Sequence, residues 1–164
     1  MKINNPNLGP SPDLLSIANY FIYISQKDEI DEGVKEGITH LKLQKILYFA
    51  QAAYLSLYDK ELFIEDFQAW KYGPVIENLY HVYKDYNNGV LPVPDGYTPD
   101  LDEKKKVFLD GIWELFAKYS VGELINITHN HSPWKEAFDK GNNVVIEKKT
   151  LQVYYKDIFV LQED

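Results

Sequence analysis

Residues 38–58, ITHLKLQKILYFAQAAYLSLY, have the length and periodicity of one helix. Leu43, Ile46, Leu47, Ala50, Tyr54 and Leu57 form one apolar face, and Tyr48, Ala52, Leu55 and Tyr58 cover much of the rest. A helix apolar this far round is contacted on several sides, so it is the expected centre of the fold. Thr39 is the expected N-cap, and the helix is expected to end near Asp59–Lys60. Lys42, Gln44, Lys45 and Gln51 interrupt the apolar surface. At about 100° per residue Gln44 and Gln51 lie on the same side, and Lys42 neighbours Lys45. Taken alone, these polar residues read as the wet edge of a buried helix.

Upstream, Ser11 and Pro12 suit the N-cap and first position of a helix with Leu14, Ile17, Ala18, Phe21 and Ile24 on one face. Residues 1–10 read as a loose tail, and KDEIDEG with Gly37 as a connection. Downstream, alternation over 66–71 before Gly73–Pro74 reads as a short strand, and Pro74 is expected to open a helix. The Pro-rich stretch NNGVLPVPDGYTPD is a loop, with an edge strand expected at 90–93. A further helix should bury Phe108, Ile112, Leu115, Phe116 and Tyr119. Ser120 and Glu123 have the spacing of a capping box, Ser132–Pro133 begins another helix, and Gly141 can stop it. VVIE at 144–147 can pair with 66–71, and Thr150 is the expected cap of the last helix. The sum is a mainly α fold, one compact domain over 11–164, with about seven helices and a small two- or three-stranded β element.

Composition narrows the function. With 17 basic and 25 acidic residues the formal charge is −8, which makes DNA or RNA an unlikely general ligand and suits a basic partner. There is no cysteine, so disulfides and thiolate-held zinc are excluded. No apolar run approaches the ~20 residues of a membrane helix, and the polar start lacks a signal-peptide core, so a cytoplasmic location is expected. Thirteen Tyr, eight Phe and three Trp exceed what a core of this size needs, and Tyr is prone to interfaces.

Chemistry-bearing clusters are few. His129 and His131, in THNHSPW, can present both rings to one metal, as a metal-dependent hydrolase would require. The stronger reading is that a His at a helix end simply bonds the preceding carbonyls. There is no HExxH, GxSxG, GxxxxGK[ST] or GxGxxG pattern, and no cofactor is indicated. In AWKYGP, Gly73 and Pro74 set a tight corner with Trp70 expected in the core, or the corner displays Lys71 and Tyr72 to a partner.

ITHLKLQKILYFAQAAYLSLY, LFIEDFQAWKYGPVIENLYHVYK and LINITHNHSPW, in this order and at these gaps, resemble the SocA-like, or Panacea, antitoxin domain of phage- and prophage-associated proteins. The resemblance runs from about Leu14 to Phe159. Family motif positions fall on Leu41 to Lys45 and Tyr48, on Ala69 to Pro74, and on Thr128, His129, Pro133 and Trp134. His40, Ala52–Ala53, residues 61–65 and His131 depart from the usual pattern. The resemblance implies a non-enzymatic protein that binds and neutralises a toxin encoded nearby. One branch of the family implies instead an adaptor that hands the toxin to an ATP-dependent protease. Lys42, Lys45, Lys71, Tyr72, His129 and His131 are the expected partner contacts. Gln44, Gln51, Trp70, Gly73, Pro74, Pro133 and Trp134 are the expected structural positions, and a buried Gln could bond the backbone of strand 66–71. Lys42 and Lys45 are expected at the surface.

Overall fold

α2 (His40–Tyr58) runs through the middle of the molecule, and Leu43 to Ala53 are all buried. The computed structural model describes residues 9–27 and 37–161, so most of the expected tail and the acidic connection lie outside the described residues. Thr39 caps α2 by accepting the Lys42 N–H, and Asp59 closes it in a left-handed conformation. Around it pack α1 (Pro12–Lys27), α4 (Glu103–Phe116), α5 (Val121–His129) and α7 (Lys148–Tyr155), with α6 (Ser132–Lys140) behind α5 and α7. The aromatic surplus cements these contacts. Phe49 stacks on Phe116 at 4.3 Å, and Tyr48 meets Phe67 and Tyr155 edge-on.

A three-stranded antiparallel sheet lies against one side of α2, in the order β2–β1–β3. β1 (Phe67–Trp70) is central and pairs with β2 (Gly73–Val75) and β3 (Val144–Ile146). Trp70 faces Gly73 in the register, so Lys71 and Tyr72 alone make the hairpin turn. α3 (Glu77–Tyr83) follows directly from β2 and leads into a 3-10 turn at Lys84–Tyr86. Seven α-helices and this sheet among the described residues make the fold mainly α with a small β element.

Several local expectations need correction. Pro74 lies in edge strand β2 opposite Ala69, and the helix starts three residues later. An edge strand tolerates the missing N–H as well as a helix start does. The face of α4 is turned by one position. Leu109, Ile112 and Trp113 are buried, Phe108, Phe116 and Tyr119 are half-buried, and Leu115 is 51% exposed. Trp113 is the cause, since its ring packs 6.4 Å from Phe21 of α1. Thr150 does not cap α7, which begins at Lys148. The Lys148 ammonium pins that first turn to the Ile64 carbonyl and the Asp66 carboxylate. Around residues 90–93 there is a single bridge, Thr39 to Val90, and not a strand. Ser11, Ser120 with Glu123, and Gly141 do act at helix ends. The buried Glu65 carboxylate further secures Ser11 at the start of α1, accepting from its N–H and its hydroxyl.

Candidate functional site

The polar residues of α2 are tied to the backbone of the chain that follows it. Gln44 Oε1 accepts the Ile76 N–H at 2.8 Å, and its Nε2 donates to the Ile76 carbonyl at 3.1 Å. The same amide nitrogen lies 3.0 Å from His40 Nε2. An amide NH2 can only donate, so His40 Nε2 accepts and the ring proton sits on Nδ1. Burial, and then the charge of Lys45, lower the His40 pKa to about 4, which keeps that ring neutral. Gln51 clamps a second segment in the same manner, accepting from Leu62 N–H at 2.7 Å and donating to the Phe63 carbonyl at 2.8 Å. Both glutamines therefore bond backbone, but at 62–63 and 76 and not along β1.

Lys45 is fully buried, which corrects its expected place at the surface. Its ammonium donates to the Pro74 carbonyl at 3.0 Å. No carboxylate pairs with it among the described residues, and burial lowers its pKa to about 7. Its stem crosses directly over Gly73. A Cβ on Gly73 would come within 2.5 Å of Lys45 Cε and 3.1 Å of Thr128 Oγ1. Gly73 also has a φ of +103°, a region side chains disfavour. The three motifs thus meet at one point: Lys45 from the first, Gly73–Pro74 from the second, Thr128 from the third.

The third motif braces the other side of the hairpin. Trp134 Nε1 donates to the Trp70 carbonyl at 2.9 Å, and its ring lies between His129 and Phe138, stacked on both. His131 points elsewhere. Its Nδ1 lies 2.8 Å from the Tyr155 hydroxyl, which donates to the Tyr48 hydroxyl at 3.1 Å. Burial lowers both imidazoles below the ordinary value and raises both phenols. His129 and His131 thus have separate surroundings. Among the described residues no three His, Asp or Glu side chains gather as a metal's ligands would.

Lys42 is half-buried, and its ammonium bonds the Ala117 carbonyl at the end of α4, a favourable place for a cation. Of the expected contact residues, Lys71 and Tyr72 are exposed, Tyr72 by 58%. Trp70 is half-buried and does not fill the core; it packs on Tyr80 with ring centroids 5.0 Å apart and bonds Gln68. Beside this hairpin opens a cleft of about 770 Å³. Its floor includes Leu41, Gln44, Ala69 and Val75, and Phe138 and Asn142 come from the far side. Tyr80, Lys84, Phe138 and the asparagines at 87, 88, 142 and 143 were not legible as site residues, because only tertiary packing brings them to the hairpin. A larger groove, about 970 Å³, lies between α2, α4 and residues 159–161 and contains none of the expected contact residues.

Gln44, Lys45, Gln51 and Thr128 are thus used inside the fold, and Lys71 and Tyr72 lie exposed beside the cleft. The family model described as antitoxin SocA-like, Panacea domain, matches residues 43–135, from α2 to the start of α6. The chain belongs to this family of antitoxin-like domains. No curated protein and no solved structure matches it. α1 and α7, outside the matched span, pack on α2 within it. No helix among the described residues is long and apolar enough to cross a membrane.

Proposed function

We propose that this chain is the antitoxin of a cytoplasmic toxin–antitoxin pair, and that it neutralises a protein toxin encoded beside it by direct, non-catalytic contact. Family membership supports the reading. The observation that carries it is how the motifs divide: Gln44, Lys45, Gln51 and Thr128 are buried, while Lys71 and Tyr72 project from the hairpin. A turn of two residues on a pinned hairpin loses little freedom on binding, which favours affinity. Tyr and Lys at its tip offer apolar area with polar ends. A charge of −8 would speed encounter with a basic face on the toxin. In this reading Lys71 and Tyr72 touch the toxin, Lys45 and His129 support the hairpin behind them, and Lys42 and His131 brace the helices.

Co-expression with the neighbouring gene tests the proposal. The neighbour alone should arrest growth, and this protein should restore growth and co-purify with it in a fixed ratio. A harmless neighbour, or one that stays toxic, refutes the reading. Relief of toxicity through a shorter toxin half-life, without a stable complex, would instead mean delivery to a protease.

A further inference from the structure

The cleft beside the hairpin differs in charge from the molecule that contains it. Twenty-five of the 164 residues are Asp or Glu, yet among the described residues none lines the cleft. Two lysines do, Lys71 from the hairpin tip and Lys84 from the 3-10 turn after α3. Both are exposed, and neither forms an ion pair among the described residues. His40 at the floor is held neutral, and Lys45 lies buried beneath Gly73. The walls are aromatic, from Trp70, Tyr72 and Tyr80, and the floor is apolar at Leu41, Ala69 and Val75 and polar at His40 and Gln44.

We propose that this cleft receives an acidic segment of the partner protein, with one apolar anchor on the floor and its carboxylates at Lys71 and Lys84. The proposal rests on the antitoxin reading and adds which part of the toxin is held and how. A segment carrying only apolar side chains would offer the two ammonium groups no opposite charge, and a basic one would be repelled by them. The molecule's overall negative charge does not forbid an acidic segment. Screening confines charge effects to about 8 Å at physiological salt, so the local lysines decide once contact is made. Long-range attraction to a basic face and short-range capture of an acidic segment then act together to fix one orientation of the partner. The indole of Trp70, the ring of Tyr80 and the apolar floor supply the desolvated centre, and the lysines and asparagines supply the rim.

The test is calorimetric titration of this protein with the product of the neighbouring gene. Lys71→Glu with Lys84→Glu is compared with Lys118→Glu plus Lys156→Glu, an equal charge change at exposed sites outside the cleft. The cleft pair should weaken binding by about tenfold or more, and the control pair by less than about threefold. Wild-type affinity should fall as salt rises, less steeply in the cleft variant. Equal weakening by both pairs, or none by the cleft pair, overturns the proposal while leaving the antitoxin reading standing. Failure of the wild type to bind overturns both. A saturable titration by ADP that the cleft pair abolishes, with partner affinity unchanged, would overturn it in favour of a small phosphate ligand.

Discussion

The wild-type protein should gain stability above neutral pH, and replacing Lys45 by Met should remove that gain. Lys45 has a pKa near 10.5 when unfolded and about 7 when folded, because burial penalises its charged form. Between those values the unfolded chain holds a proton that the folded chain does not. Stability therefore rises with pH through this window, while below about pH 7 the full penalty of a buried cation is present. Other groups leave the window clear. His40, His129 and His131 have lowered pKa values, so their gains are complete once the unfolded imidazole is neutral. Tyr20, Tyr48 and Tyr155 have raised values, so they cost stability only above about pH 10. Integrating the Lys45 shift from about pH 7 to about pH 9.5 gives on the order of 3 kcal/mol. In Lys45→Met the Pro74 carbonyl loses its donor, a loss of about 1–3 kcal/mol, while the buried cation disappears. The two stability curves should accordingly converge or cross: the variant at least comparable near neutrality, the wild type ahead in mild alkali. Urea unfolding followed by tryptophan fluorescence at several pH values measures this. A flat wild-type curve, or the same slope in the variant, would refute the reasoning.

Gly73→Ala should destabilise the fold by about 2–5 kcal/mol, combining backbone strain at positive φ with displacement of Lys45, as read from denaturant midpoints. Gln51→Ala leaves the Leu62 N–H and the Phe63 carbonyl without their partner, and a loss of about 2–4 kcal/mol is expected by the same method. Ser120→Ala removes an exposed capping box and should lower stability by only about 1 kcal/mol, with little effect on partner binding.

Local chemistry carried the helices into view. The periodicity of 38–58, the Thr39 cap, the Ser120–Glu123 pair and the Gly141 stop each act within one turn, and each stands where the sequence puts it. β1 and its pairing with 144–146 were legible for the same reason, from alternation and a turn. Pro74 was ambiguous, because a ring that suits the first turn of a helix also suits an edge strand. The α4 face depended on Trp113 finding Phe21, which no local pattern encodes. Lys45 is the sharpest case. A lysine on a helix reads as solvated unless one knows that a carbonyl 29 residues further on receives it. Likewise the motif positions were visible as a set, but not that Gln44, Lys45 and Gln51 face inward while Lys71 and Tyr72 face out.

That division between inward and outward motif residues is the central claim, and Tyr72→Ala tests it most directly. The affinity of this variant for the product of the neighbouring gene should fall by about tenfold or more, at an unchanged melting temperature. Wild-type affinity in a variant that melts normally would contradict the account, because the hairpin would then be architecture and the partner would bind elsewhere.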